Sequence, residues 1–306
     1  MDVQGKKIYV GLSGGVDSAV SAALLKEAGA QVTGVFIKGW YPPGMPCTWA
    51  AERRDAMRVA AHLHIPYLTL DASVEYKKSV IDYLIAEYRA GRTPNPDVMC
   101  NREVKFGAFY RFAKEHGADA IATGHYRAGE KDQSYFLWAV PKDILNATLF
   151  PVGKMEKIEV RKLAKKFNLP VAKKKDSQGI CFLGSVSVKE FLEQEFGSDN
   201  PALLYTIGQR VEGGYVVGKD VEKKEIKVST TRTGGVREVR FTDANWFDEP
   251  GRATSAQYRY RGQLIQGHVK DGHFVYDEPL PDIPAPGQSV VFYKDDELVG
   301  GGIIAA

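Results

Sequence analysis

Two features of this sequence could do chemistry. The first is the run Gly11, Leu12, Ser13, Gly14, Gly15, Val16, Asp17 and Ser18, which follows the apolar triplet Ile8-Tyr9-Val10 and leads into a helical pattern. Glycines let a backbone approach an anion closely and take positive φ. The helix that follows offers free N–H groups and the positive end of its dipole. Ser13 and Ser18 add hydroxyl donors. The spacing excludes a Walker loop, because no Gly-Lys-Ser/Thr follows, and it excludes G-x-G-x-x-G. Asp17 beside a triphosphate makes sense if a Mg²⁺ ion bridges the phosphate oxygens. A plainer reading is a glycine-rich strand–helix turn capped by Asp17.

The second feature is a pair of cysteines. Cys100 lies in Thr93-Pro94-Asn95-Pro96-Asp97-Val98-Met99-Cys100-Asn101, where the two prolines fix an extended turn. The pattern places Cys100 at the start of a helix beginning near Asn101, where the helix end favours a thiolate. Asp97 stands three residues earlier as a proton acceptor or donor. Cys181 follows Lys173-Lys174-Lys175 and is flanked by Gly179 and Gly184. The lysines again favour thiolate. The ordinary fate of a free cysteine is a small buried hydrophobe. Cys47, in Pro42-Pro43-Gly44-Met45-Pro46-Cys47, has no comparable reactive setting and is read as structural.

The elements that must position these residues fall into three textures. Over 6–125, strands (Ile8–Val10, Val32–Ile37, Tyr67–Leu70, Ala118–Thr123) alternate with helices (Asp17–Ala28, Glu52–His64, Val74–Tyr88, Asn101–His116). That alternation implies a doubly wound parallel α/β sheet with helices on both faces. Residues 126–197 read as mostly helical, broken at Pro141, Pro151 and Pro170. From about 203 the pattern becomes short alternating runs with frequent glycine, including Gly214–Val217, Glu225–Val228, Arg237–Phe241, Ser255–Leu264, His273–Tyr276 and Ser289–Tyr293. These predict small antiparallel barrels or sandwiches. The expected division is a catalytic domain over 1–197 with a helical part from about 126, a small central β domain over 198–248, and a C-terminal β-barrel over 249–306.

Composition narrows the class. The 306 residues carry 41 Lys plus Arg against 38 Asp plus Glu, a formal charge of +3, with 26% charged residues. Three cysteines are too few for a disulfide scaffold or a four-cysteine zinc site. No run of 18 apolar residues occurs, and the N-terminus has no signal-peptide core. The expectation is therefore a cytoplasmic protein. The charge is uneven. Residues 151–176 hold nine basic residues against three acidic ones, a local +6. A basic stripe on a near-neutral chain fits a polyanion partner, although a solvated helix face would look the same.

The string Ser13-Gly14-Gly15-Val16-Asp17-Ser18 after a first strand is the signature of PP-loop ATP pyrophosphatases, which transfer AMP to a substrate oxygen. Together with Asn95-Pro96-Asp97-x-x-Cys100-Asn101 and Asp176-Ser177-x-Gly179-Ile180-Cys181-Phe182, the sequence resembles the bacterial tRNA-specific 2-thiouridylases. Thr123-Gly124-His125-Tyr126, Leu149-Phe150-Pro151-Val152-Gly153, Tyr205-Thr206-Ile207-Gly208-Gln209-Arg210 and Arg259-Tyr260-Arg261 agree, in order, from residue 6 nearly to the end.

The resemblance implies ATP-dependent replacement of the 2-oxo group of a tRNA wobble uridine by sulfur. Gly11–Ser18 would hold the ATP phosphates, with Ile37 and Gly124 lining adenine and ribose. Asn95, Pro96 and Asp97 would contact the target base, Asp97 as acid/base. Cys181 would carry a persulfide received from a sulfur-donor protein. Cys100 would be the second catalytic thiol, ending in a disulfide with Cys181. Lys131, Asp132, Gln133, Arg259 and Tyr260 match positions that touch tRNA. Three stretches are shorter than the family's: between Tyr126 and Lys131, between the Cys181 region and Tyr205, and around Gly208–Gly214. Two readings from other classes stand beside this one. A PP-loop ligase or amidase acting on a small molecule would need neither cysteine pair nor basic stripe. An RNA-binding protein with a dead nucleotide site would not need an intact loop.

Overall fold

The computed structural model describes residues 2–42, 49–175, 187–232 and 234–306. Cys47 and Cys181 lie outside them, as does the Asp176–Phe182 string. The described residues divide into two compact units: 1–77 with 100–185, and 78–99 with 186–306.

The first unit is built on five parallel strands: β1 (Lys7–Gly11), β2 (Gln31–Lys38), β3 (Tyr67–Asp71), β4 (Ala120–Ala122) and β5 (Thr148–Leu149), ordered β3-β2-β1-β4-β5. The order reverses direction at β1, the signature of double winding. The register pairs Val10 with both Gly34 and Ala122. Alternation along β1 decides what each face meets. Ile8 and Val10 are buried in the core made with α1 (Val16–Glu27) and α2 (Trp49–His62). Tyr9 and Gly11 point the other way: the Tyr9 ring lies 6.5 Å from that of His116, and a Cβ on Gly11 would be 3.5 Å from Phe109. Helices therefore cover both faces. In α2 the buried residues are Ala56, Val59 and Ala60, the i, i+3, i+4 stripe of a helix with one apolar face. Each fully buried Ile or Val contributes about 1.5–3 kcal/mol relative to exposure.

Two expectations change here. Residues 126–141 form turns and a short 3₁₀ segment (Ser134–Phe136) rather than helix; a five-residue helix (Lys142–Asn146) follows, and then the longer α3 (Lys157–Lys166). The glycine and proline punctuation around 124–151 explains this. The helix expected from Asn101 begins instead at Pro96, runs through a π-helical stretch (Cys100–Ala108) and ends at Glu115. Proline suits the first turn, where its missing N–H has no partner to lose. Asn95 Oδ1 accepts from the Val98 N–H at 3.4 Å. Cys100 is thus inside a helix, so the helix-end argument for its thiolate does not apply.

The second unit holds a three-stranded sheet, β6 (Arg210–Val211), β7 (Gly214–Asp220) and β8 (Glu225–Ser229), and a closed six-stranded barrel. Its strands are β9 (Glu238–Trp246), β10 (Ser255–Gln257), β11 (Ile265–Lys270), β12 (His273–Tyr276), β13 (Ser289–Lys294) and β14 (Glu297–Ile304), ordered β10-β11-β12-β9-β14-β13. Closure removes the exposed edges a sheet would offer. Stacked rings fill it: Trp246 on Phe292 at 5.0 Å and Phe292 on Phe274 at 5.5 Å. The barrel takes its first strand from 238, ahead of the expected boundary at 249, because β9 pairs with both β12 and β14. Residues 78–99 group with this unit rather than with the expected 1–197 domain. Thr93 N–H donates to the Pro286 carbonyl at 2.8 Å, and Gln288 Nε2 donates to the carbonyls of Thr93 and Pro94 at 2.9 and 3.2 Å.

Candidate active site

The phosphate loop leaves β1 at Gly11 and enters α1 at Val16. Leu12 donates its N–H to Val35 at 2.8 Å and buries its side chain, as does Val16. These two residues fasten the loop to the core and face a ligand only through backbone. Ser13 and Ser18 hydroxyls lie 3.2 Å apart, and Ser18 Oγ also accepts from Ser13 N–H and donates to the Gly15 carbonyl. Gly14 takes φ +74°, and a Cβ there would collide with the Glu52 carbonyl. Gly124, just after β4, comes so close to α1 that a Cβ would sit 2.8 Å from Ser18 N and 2.9 Å from Asp17 C. No side chain fits between loop and strand end, which leaves the amides of the first helical turn accessible.

Asp17 has partners that its position in the motif does not announce. Lys157 Nζ, from α3, donates to both carboxylate oxygens at 2.6 and 2.8 Å, and Tyr126 Oη donates to Oδ1 at 2.7 Å. Charge-assisted bonds of this kind are roughly twice as strong as neutral ones. Lys174 likewise reaches Asp55 Oδ2 at 2.7 Å and the Gly14 carbonyl at 3.1 Å, while Arg161 donates to the Lys174 carbonyl at 3.1 Å. Part of the basic stripe therefore braces the phosphate loop, and Lys173 and Lys175 remain exposed.

Loop, strand ends and π-helix enclose a cavity of about 320 Å³. Its lining includes Gly11, Ser13, Asp17 and Ser18 on one side, Ile37 near the end of β2 and Tyr41 beyond it, Thr123, Gly124 and His125 beyond β4, and Cys100, Val104 and Lys105 from the π-helix. Cys100 is 3% exposed. His125 is half-buried at the cavity wall, with Nδ1 3.0 Å from Thr123 Oγ1 and its ring 5.3 Å from Phe106. Burial, helped by the charge of Lys105, holds its pKa down at about 3, so the imidazole is neutral. Its place in the lining, partly exposed, puts it at the cavity rather than in the core.

The remaining expected contacts are scattered. Gln133 lines the cavity, and its Oε1 and N–H both bond to the Tyr126 backbone at 3.0 Å. Asp132 Oδ1 accepts from Ser134 N–H at 2.7 Å; Lys131 is half-buried nearby in sequence. Asn95, Pro96 and Asp97, each half-buried, belong to the second unit. So do Arg259 and Tyr260, which sit in a turn after β10 rather than on the expected strand. Arg259 pairs with Asp282 at 2.7 Å and donates to the Ile283 carbonyl at 3.2 Å. Sequence patterns gave Lys105, Tyr126 and Lys157 no individual role in the site, and assigned Lys174 to the Cys181 thiolate rather than to the phosphate loop. Lys157 and Lys174 were visible only as charge, and Lys105 as one face of an assumed α-helix.

The cavity fits a nucleotide triphosphate: glycines where a Cβ would block the backbone, hydroxyls, and a helix N-terminus. For a divalent cation the hard oxygen donors in the lining are Asp17 and Glu52. Among the described residues no group of three His, Cys, Asp or Glu side chains forms a metal cluster.

Comparison with known proteins bears directly on this geometry. Residues 6–185 match the family model described as a tRNA methyl transferase HUP domain, and residues 236–304 match an aminomethyltransferase β-barrel domain. The tRNA-specific 2-thiouridylase of Streptococcus mutans is 40% identical over 97% of this chain and 95% of its own. This chain belongs to the tRNA-specific 2-thiouridylase family. The 2-thiouridylase of Lacticaseibacillus paracasei is 38% identical over 100% of this chain and 96% of its own. Both 2-thiouridylase alignments run over more positions, 357 and 362, than the 306 residues present here. The relatives thus carry residues without counterparts in this chain, in keeping with a shortened member of the family. Among solved structures, NMN synthetase from Francisella tularensis aligns at TM-score 0.40 and 18% identity over 63% of this chain and 73% of its own.

Proposed function

We propose that this chain thiolates the wobble uridine of tRNA at position 2, using ATP. The observation that carries the proposal is that the phosphate loop and Cys100 line one cavity, so an activated phosphate and a thiol meet in the same space. The loop amides and the Ser13 and Ser18 hydroxyls bind the pyrophosphate end of ATP, and Ile37 and Gly124 flank its nucleoside. Asp17 and Glu52 would hold a Mg²⁺ ion, which would supply charge neutralisation on the phosphates. The uracil O2 attacks the α-phosphorus, and pyrophosphate leaves with the electron pair of the broken P–O bond. A thiouridine sulfur must then replace that oxygen at C2.

The terminal sulfur of a Cys181 persulfide, loaded by a donor protein, adds to C2, and AMP departs with the former O2. The Cys100 thiolate attacks Cys181 Sγ, forming a Cys100–Cys181 disulfide and leaving the outer sulfur on uridine with its electron pair. An external thiol reduces that disulfide before the next turnover. Asn95, Pro96 and Asp97 hold the flipped base, with Asp97 moving its proton, because such chemistry requires an unstacked nucleotide. Lys131, Asp132, Gln133, Arg259 and Tyr260 contact tRNA, and the reducing cytoplasm is the compartment such a thiol pair needs. Among the described residues no helix is long and apolar enough to cross a membrane.

The test is nucleoside mass spectrometry of unmodified tRNA incubated with the protein, ATP, Mg²⁺, a protein persulfide as sulfur donor and a thiol reductant. 2-Thiouridine is expected, and its absence with correctly folded protein refutes the proposal. Cys181→Ser should abolish thiolation driven by a persulfide donor while ATP still binds.

A further inference from the structure

A triphosphate entering the cavity meets a lining whose charged side chains, among the described residues, are Asp17, Glu52 and Lys105. Two of the three are carboxylates and bring no positive charge to it. The end of α1 offers only about half an elementary charge. Neither Lys157 nor Lys174 is among the lining residues. Lys105 is the lysine that the lining itself brings to a bound polyphosphate.

Its position follows from an unusual winding. In an α-helix five residues make about 1.4 turns, which would turn Lys105 well away from the face of Cys100. Cys100–Ala108 is π-helical, and i→i+5 bonding returns the chain to the same face after five residues. Cys100, Val104, Lys105 and Phe109 accordingly all line the cavity. The charge of Lys105 also reaches His125, on the strand-end side of the same lining. A π-helical stretch sacrifices regular α-helical bonding, and such stretches are frequent at functional sites.

We propose that Lys105 is a catalytic residue of the adenylation step, its ammonium contacting a non-bridging oxygen of the α-phosphate. This rests on the 2-thiouridylase reading. As O2 bonds to the α-phosphorus and the bond to the pyrophosphate oxygen breaks, the electron pair leaves with pyrophosphate and the uracil N3 proton passes to Asp97, the acid/base of the proposed function. The attacked phosphorus and the carbon later thiolated are joined through one oxygen, O2. The α-phosphate must therefore lie close to the thiol that completes sulfur transfer, and Lys105 stands one π-turn from that thiol. Loss of one preorganised donor to developing charge typically costs about 10²–10³ in rate.

The experiment is single-turnover pyrophosphate release with saturating ATP and unmodified tRNA, for wild type, Lys105→Met and Lys105→Arg. ATP and tRNA affinities and thermal unfolding are measured alongside. Lys105→Met should slow release at least about a hundredfold, with tRNA affinity within twofold and an unchanged melt, and Lys105→Arg should recover at least about tenfold of the loss. Release by Lys105→Met within threefold of wild type overturns the role of Lys105 and leaves the thiouridylase reading standing. A misfolded Lys105→Met leaves the decision to Lys105→Arg: a folded arginine variant no faster than the methionine variant, or either variant losing rate only through ATP affinity, overturns it too. No tRNA-dependent release by wild type sinks both.

Discussion

Gly124→Ala tests whether the close approach of β4 to α1 is what shapes the phosphate site. Gly124 has an ordinary negative φ, so space alone is at issue. The new Cβ would lie 2.8 Å from Ser18 N and 2.9 Å from Asp17 C, up to 0.6 Å short of an ordinary 3.4 Å contact. Both are backbone atoms of the first helical turn, which cannot swing aside as a side-chain tip can. Overpacking of this kind costs about 1–3 kcal/mol. At about 2–4 °C per kcal/mol for a unit of this size, the melt of the first unit should fall by several degrees. The displaced turn carries the amides that face phosphate. Losing one hydrogen bond to a charged group costs about 1.5–3 kcal/mol, so ATP affinity should drop at least about tenfold. Gly15→Ala is the control within the same motif. Its Cβ would meet only Ser13 Oγ, at 3.2 Å, and a hydroxyl can rotate. Equilibrium binding of a fluorescent ATP analogue and a thermal melt with and without ATP read both variants. Wild-type affinity and melting for Gly124→Ala, or equal damage from Gly15→Ala, would refute the steric argument.

Three further outcomes follow from other parts of the molecule. His125 is held neutral down to about pH 3, whereas in the unfolded chain it titrates near 6.5. Between those values the unfolded state takes up a proton the fold refuses, so its contribution is present above 6.5 and is lost at roughly 1.4 kcal/mol per pH unit as pH falls. Urea titrations at pH 6 to 4 should give a shallower acid slope for His125→Gln, and parallel slopes would contradict the burial argument. Tyr258 Oη donates to Asp282 Oδ1 at 2.6 Å inside the second unit, where Asp282 also pairs with Arg259. Tyr258→Phe should destabilise that unit by about 1–3 kcal/mol in denaturant unfolding, because a buried acceptor loses a donor; no change in midpoint would show the bond to be dispensable. Lys173 and Lys175 are exposed while Lys174 is tied to the loop. Lys173→Glu with Lys175→Glu should weaken tRNA binding and flatten its salt dependence by about two units of slope with ATP binding intact, whereas Lys174→Ala should chiefly weaken ATP binding. Filter binding from low to high salt distinguishes the two.

Much of this architecture was legible before any coordinates. The short β-branched runs at 8–10 and 32–37, each followed by a 3.6-period stretch, imply a parallel sheet, and β1, β2 and their helices lie close to the expected residues. The glycine loop was legible because phosphate binding depends on the local backbone, and local backbone follows local sequence. The barrel was legible as a class, but its first strand was placed too late, and Ser255–Leu264 keeps only three strand residues before a turn at Tyr258–Arg261. Barrel closure sets strand ends through partners distant in sequence, and alternation within one segment does not report them.

What the sequence determined alone was the chemistry on offer: a loop for polyphosphate, a cysteine after a proline turn, and a basic segment beneath a small net charge. Tertiary structure decided how those parts are spent. Lys157 and Lys174, read from sequence as stripe charge, lie against Asp17 and Gly14, because α3 and the turn after it pack beside α1. Cys100 is inside a helix and not at its start. Lys105 shares a face with Cys100 only because nine residues wind as a π-helix. Sequence periodicity assumes a winding, and a winding of i→i+5 is chosen by the packing around it, so which side chains share the cavity was settled in three dimensions.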